Sequence, residues 1–435
     1  PLVTGVQTCA LPICKHFRYN LNYFQRFHMK QVFQFLFLLF IVISSHAQVV
    51  LPEREQALAI DEILEERFNT VVPALMERTG IDMWIIISRE YNEDPVLKTM
   101  LPATWLSARR TTMIVFYQDA KKKSLEKLAI ARYNVGESIK ASWDMKKFPD
   151  QWDALVDIIT IRNPEKIGLN ISENFAHADG LDHTHYDMLM KKLPAAFKSK
   201  VVSAEPLAVG WMETRTEKEM QIYPKLVSIT HDIIKEGFSS KVVTPGVTTT
   251  DDLVWWFRQK LTSLGLITWF HPSVAIQRSD STSFEHLRSF SNRPKDDVVQ
   301  PGDLLHVDFG ITYLRLNTDC QQHAYVLKPG ETDAPASIKK AFSNSNRLQD
   351  ILTSNFKTGR TGNEILLASL QQAKSEGINP SIYTHPLGFN GHAAGPTIGM
   401  WDMQQGVPGS GDYTLYPKTA YSIELNAGRS EEHTS

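Results

Sequence analysis

The chain has 435 residues, 42% hydrophobic and 22% charged, with a formal net charge of −2. These are ordinary values for a folded globular protein, and a charge so near zero argues against a nucleic-acid partner or an acidic lipid surface. Of the three cysteines, Cys9 and Cys14 fall in a leader set aside below, so Cys320 stands alone and no disulfide framework is expected.

Both ends read as foreign to the protein. The C-terminal RSEEHTS can be encoded by AGATCGGAAGAGCACACGTCT, and the reverse complement of that string, one frame over, encodes the peptide at Thr8 to Ile13. We therefore treat 1–28 as an artefactual or untranslated leader and 429–435 as an adapter-derived tail, and expect a gene fragment whose last domain is incomplete. Met29 reads as the true start. Lys30 supplies a basic n-region, Val32 to Ile43 an apolar stretch too short to span a membrane, and Ser45-His46-Ala47 a small-x-small cleavage site. A signal peptide at 29–47 predicts an exported protein, periplasmic or secreted, with no membrane association beyond the signal; a retained anchor is the competing reading.

Over 48–205 strands and helices alternate. Gln56 to Thr79 has the pattern of an amphipathic helix, and Trp152 to Thr160 and Leu181 to Leu193 read as further helices. Ile81 to Ile87, Thr111 to Tyr117, Leu128 to Tyr133 and Lys166 to Ile171 read as strands. Interleaving of this kind predicts an α/β layered domain. It has no glycine-rich phosphate loop, and capping and solvation at a helix start account for Asp182, His183, His185 and Asp187.

A second domain is expected over 206–428. Thr216 and Glu219 form a capping-box pattern before a long helix whose interior Pro224 predicts a kink. Thr250 is placed to cap a second helix reaching Leu264, on which Trp255 and Trp256 read as one rim and one core residue, with the lining of a substrate cleft as the alternative. Phe270 to Val274 begins the next strand. The stretch GDLLHVDFGITYLRLNTDCQQHAYVL, Gly302 to Leu327, then sets Asp308 in an apolar run and Asp319 at the head of another, Cys320 to Leu327. An ionised Asp taken out of water needs a partner or a metal. Two of them on neighbouring strands of a hairpin can converge on hard divalent cations; the bland alternative is a turn-forming Asp beside Gly and a solvated loop acid. The Cys320 side chain leaves its strand on the face opposite to Asp319, which favours a small buried hydrophobe over a nucleophile.

Further on come THPLGFNGHAAGPTIGMWD, with His385 and His392, and TAYSIELNAG, with Glu424 inside an apolar strand. Asp, Asp, His and Glu in this order resemble the pita-bread metallopeptidases, the superfamily of methionine aminopeptidase, aminopeptidase P, prolidase and creatinase. The resemblance spans about Pro206 to Gly428, where METRTEKEMQIYPKLVSITHDII is similar to the first helix of that domain, and extends more weakly over the preceding domain. It implies an α/β N-terminal creatinase-like domain followed by an α+β pita-bread catalytic domain. It also implies two divalent metal ions on Asp308, Asp319, His392 and Glu424, with a fifth ligand, a Glu, beyond Gly428. Mixed N/O ligation suits Mn, Co, Fe or Zn without choosing among them. Glu424 would double as the base, and His286 and His385 would contact substrate, with His271 competing for the role of His286. The substrate implied is a peptide cut at an N-terminal bond, Xaa-Pro in view of the two-domain plan and the HPLG stretch, and a homodimer is possible.

Two departures from the family pattern stand out. His385 and His392 are three residues further apart than the aminopeptidase P pattern has them, and Phe389 stands where an ungapped match puts the ligand. A second catalytic His is missing, with Trp401-Asp402 in its place; losing one oxyanion donor costs on the order of a hundredfold in rate. Two other readings therefore stay open, a catalytically impaired binding homologue and a creatinase-like hydrolase of another C–N bond. The fragment itself, lacking one side of the site, is expected to be inactive.

Overall fold

The structure, a computed structural model, describes residues 2–3, 50–119, 124–277 and 297–429. The predicted signal peptide and His286 lie outside the described residues, and of the leader only Leu2–Val3 falls within them.

The first unit is an α/β layer built on one buried strand. Helix α1 (Glu53–Thr79) ends where Gly80 takes a left-handed conformation, φ 65°. Strand β1 (Met83–Arg89) follows, then the short helix α2 (Pro95–Met100), capped by Asp94. Next come β2 (Thr111–Asp119), β3 (Ser124–Ala129), β4 (Lys140–Ala141), α3 (Gln151–Arg162), β5 (Ile167–Leu169), α4 (His183–Lys192), β6 (Val201–Ser203) and α5 (Glu205–Glu213). The sheet runs β4-β3-β2-β1-β5-β6, antiparallel across β1–β2–β3 and parallel from β1 to β6. Its central strands are apolar without a break because both faces are covered. Trp84, Ile86, Ile114 and Phe116 point into a core shared with α1 and α5, while Met83, Ile85, Ile87, Met113 and Val115 point into a core shared with α3 and α4. Strand β3 lies earlier than its apolar residues suggest, because its polar half, Ser124 to Lys127, pairs with β2 from Asp119 to Phe116. Asp182 caps α4 through the backbone of His185, as expected of it.

The second unit opens with α6 (Glu217–Gly237), headed by the reciprocal Thr216–Glu219 box and running through Pro224. Helix α7 (Thr250–Ser263) is capped by Thr249, one residue before the predicted cap, because the acid that closes the box is Asp252. Trp255 is exposed and Trp256 packs against the core. Strands β7 (Ser273–Gln277), β8 (Leu304–Phe309) and β9 (Cys320–Val326) form an antiparallel sheet in the order β9-β8-β7, with Leu2–Val3 paired outside β9. Helices α8 (Ala336–Asn355) and α9 (Gly362–Ser375) then cover a long hairpin, β10 (Ile378–Leu387) with β11 (Ala420–Arg429).

Alternation along these strands creates the site. Leu305, Val307 and Phe309 of β8 join Ile229, Ile233 and Phe257 in one core, and Ile382 of β10 joins Leu348, Ile351, Ile365 and Leu366 in another. The residues between them, Asp308 on β8 and Tyr383 and His385 on β10, are turned to the opposite faces. The two units meet close by. Leu207, Ala208, Val209, Trp211 and Met212 of α5 pack in the first core, which also takes in Ala394, and the buried Glu219 receives Arg67 Nη1 of α1 at 2.7 Å and Arg215 Nη1 at 3.0 Å. Among the described residues no helix is long and apolar enough to cross a membrane.

Candidate metal centre

Backbone register sets the carboxylates. Asp308 lies opposite Gln321 of β9 on one side and Ser273 of β7 on the other. Asp319 directly precedes β9, where the chain is drawn tight against Gly310: a Cβ at Gly310 would stand 2.2 Å from the carbonyl oxygen of Thr318. The Thr318 hydroxyl holds this corner, accepting from Ile311 N at 3.1 Å and lying 2.8 Å from the Thr230 hydroxyl of α6. Across the cleft, the β10–β11 register puts Tyr383 opposite Glu424 and His385 opposite Ser422.

His385 is the hub of the cluster. Its Nε2 lies 3.0 Å from Glu424 Oε1 and 3.4 Å from Asp319 Oδ2. Asp319, His385 and His392 each offer a donor atom within 4.8 Å of the others. The two imidazoles meet nearly at right angles, 89°, with ring centroids 4.5 Å apart. Asp308 joins electrostatically: burial, then the charges of Asp319 and Asp308, push the Cys320 thiol up to about 12, which suits the inert cysteine expected from the sequence. Burial and the charges of Glu424, Asp319 and Asp308 raise Tyr383 well above the ordinary phenol value.

This donor set is short of positive charge. Burial disfavours a charged His385, yet its bonds to Asp319 and Glu424 outweigh that and lift it to about 9. Burial raises Glu424, and Asp319 adds to the rise against the opposing bonds from His385 and Gln321. Asp319 Oδ1 is buried with no hydrogen-bond partner among the described residues. Buried carboxylates with a spare lone pair beside two imidazoles suit a divalent transition metal.

The structure thus brings Asp319, His385 and His392 into one candidate metal group, with Glu424 on His385 and Asp308 close enough to act on Cys320 and Tyr383 by charge. His385, predicted to touch substrate, is 3% exposed and contacts both carboxylates; His392, predicted to be the ligand, offers a donor atom to the same group from its exposed edge. Position in the chain explains the difference in burial, since His385 lies within a strand pair and His392 follows the Gly388 to Gly391 turn, which Asn317 and Trp269 hold at the rim. Phe389 is no part of the cluster and lines a small cavity at the junction of the units, with Arg67 and Arg215. His271, the competitor of His286, sits instead against α7, with Nδ1 3.2 Å from Arg258 Nη1 and its ring 5.4 Å from that of Trp255.

Two aromatic residues of the site, Trp269 and Tyr383, escaped the sequence reading. Trp269 donates from Nε1 to the Thr318 carbonyl at 2.8 Å and puts its ring 5.1 Å from that of His392. Its indole fills the space beside Gly391, where any Cβ would lie 2.2 Å from the ring. Tyr383 lies with its ring 5.2 Å from that of His385 and 5.9 Å from that of Trp401. Strand alternation offered the one available signal, because Tyr383 is two residues before His385 and must share its face.

Residues 223–431 match the profile of metallopeptidase family M24. Among solved structures, the X-Pro aminopeptidase of Thermotoga maritima is 18% identical, with 80% of this chain and 89% of that one aligned at a TM-score of 0.55. A putative aminopeptidase P from Bacillus anthracis is 12% identical over 83% of this chain and 87% of its own, at 0.56. Aminopeptidase P of E. coli, solved with the inhibitor Pro-Leu, is 11% identical over 84% and 87%, at 0.53. At such identities the likeness establishes the two-unit fold. No curated protein matches the chain in sequence.

Proposed function

The chain belongs to the pita-bread metallopeptidase superfamily through its M24 domain, and on that premise we propose that it is an exported, dinuclear-metal peptidase that hydrolyses N-terminal peptide bonds, Xaa-Pro in particular. One observation carries the reading: His385 Nε2 lies within 3.4 Å of both Asp319 and Glu424, and His392 offers a donor atom to the same group. A structural ion pair would not gather so many donors of the kinds a transition metal takes. Support for the bond next to proline comes from the folds matched, which are called X-Pro aminopeptidase and aminopeptidase P. Support for export comes from the signal-like stretch at 29–47.

Asp308, Asp319, His385 and Glu424 would hold the metal. Bound divalent cations supply Lewis-acid polarisation of the scissile carbonyl and bring the ionisation of water toward neutral pH. Glu424, buried and beside the charge of Asp319, is placed to accept a proton from the attacking water. His392, exposed at the edge of the cluster, is the imidazole placed to meet substrate. Trp269 closes the pocket behind it and fixes its ring.

The test is hydrolysis of Xaa-Pro peptides by the protein expressed from its complete gene, in the presence of Mn, Co, Fe or Zn in turn. Release of the N-terminal residue, lost on chelation and restored by metal, together with two metal ions per chain, is the expected result. A protein that binds metal but releases nothing from any such peptide would be the binding homologue instead. Turnover of a C–N substrate by metal-free protein would make it creatinase-like.

A further inference from the structure

Accepting the peptidase reading, we propose that Tyr383 is a catalytic residue whose hydroxyl donates a hydrogen bond to the carbonyl oxygen of the scissile bond and to the oxyanion formed from it. Position is the first ground. Tyr383 lies on β10 directly across from Glu424 and two residues before His385, so its side chain rises from the same face of the hairpin as the innermost groups of the cluster. Its ring centroid is 5.2 Å from that of His385 and 6.3 Å from that of His392.

Chemistry is the second ground. Water attack forms a bond from the water oxygen to the carbonyl carbon and moves the π pair onto the carbonyl oxygen. On collapse the oxyanion pair re-forms the C=O bond, the C–N bond breaks with its electron pair going to nitrogen, and nitrogen takes the proton that Glu424 accepted from the water. Charge develops on that oxygen in a pocket already holding the carboxylates of Asp308, Asp319 and Glu424, which when ionised accept hydrogen bonds and cannot donate them. His385 is occupied by two of those carboxylates. Donors are what such a transition state needs, and the chain must provide them from elsewhere. Tyr383 is half-buried, and among the described residues burial and the charges of Glu424, Asp319 and Asp308 act on its hydroxyl with no hydrogen bond to it. An ordinary phenol is a donor at neutral pH. In this step the Tyr383 O–H bond stays intact throughout, since the residue stabilises charge without giving up its proton.

Preorganisation is the third ground. The ring packs against those of His385 and Trp401, at 5.2 and 5.9 Å between centroids. A donor held in place before reaction costs nothing to orient at the moment charge appears.

The experiment compares Tyr383→Phe with wild type, both made from the complete gene and loaded with the same metal. The exchange removes one oxygen that bonds to no described residue, so metal content and the unfolding midpoint are expected to stay as in wild type. On an Xaa-Pro peptide, kcat is expected to fall about a hundredfold, the usual loss for one oxyanion donor, with KM changed less than threefold. Tyr383→Ala, which also removes the aromatic wall, is expected to raise KM as well. An active wild type with a Phe variant within twofold of its kcat overturns the assignment while leaving the peptidase reading intact. A rate loss that merely tracks lost metal also overturns it, by reducing Tyr383 to a prop for His385. Wild-type protein that turns over no peptide overturns both.

Discussion

At the scale of single residues, the two histidines show how a role depends on anchorage. His385 is tied by Nε2 to two carboxylates and by its strand to β11, while His392 hangs from a glycine-rich turn and meets its neighbours through ring edges. Replacing a ligand empties a metal site, whereas replacing a group that faces substrate slows turnover and leaves the metal in place. His385→Ala is therefore expected to lose at least tenfold in metal affinity, and His392→Ala to keep its metal while kcat falls. Metal content after dialysis, measured by atomic absorption on both variants, separates the roles; equal loss in both would refute the division. The residue types of this centre were legible in the sequence because carboxylates inside apolar strands call for a partner. Which imidazole is innermost was not, because it depends on the β10–β11 register, and nothing in HPLGFNGH announces where strand gives way to turn.

Elements carry the geometry, and the β8–β9 connection carries most of it. Between Asp308 and Asp319 the chain makes a small hairpin whose corner residues Leu314 and Arg315 both have positive φ, 51° and 63°. Two-residue turns of that handedness favour Asn and Gly, so Leu-Arg gives no turn signal in the sequence. Tertiary contact substitutes for it: Arg315 Nη1 donates to the Leu101 carbonyl of the first unit at 2.6 Å. Strands β8 and β9, by contrast, stand close to where their apolar alternation put them, as does the Thr216 box. At the root of the same hairpin, Gly310 lets the backbone of Thr318 approach, and a methyl there would meet both that carbonyl, at 2.2 Å, and Trp269 Nε1, at 2.6 Å. Gly310→Ala must push Asp319 away from Asp308. The expected outcome is roughly 1–3 kcal/mol of lost stability, the usual cost of overpacking, and metal affinity reduced at least tenfold. Denaturant unfolding and metal titration of the variant check this, and retention of wild-type affinity would mean that the corner does not set the carboxylates.

Across the whole molecule, the site lies against the junction of the two units, and the buried charge there was invisible to a reading that took each unit separately. Glu213, the last residue of α5, is fully buried beside the Gly395 turn that follows His392, and neither of its oxygens has a hydrogen-bond partner among the described residues. Arg78 Nη2 comes no nearer than 3.8 Å. Burial therefore prevails over the opposing charges of Arg78 and Arg215, and lifts Glu213 to about 8. Tyr413 and Tyr421 also face it, and both phenols are themselves raised by burial. Between the ordinary carboxyl value of 4.5 and about 8, Glu213 keeps its proton in the fold and gives it up in the unfolded chain. The folded state then binds the extra proton, so stability falls as pH rises through that window and levels off above it. From pH 5 to pH 8 the loss amounts to roughly 3 kcal/mol at about 1.4 kcal/mol per pH unit. Glu213→Gln keeps the shape and removes the titration, so its stability relative to wild type is expected to improve by that amount from pH 5 to pH 8, with every other titrating group cancelling in the difference. Urea unfolding of both proteins at the two pH values decides the matter, and parallel profiles would show that Glu213 is ionised in the fold and paired with Arg78 after all.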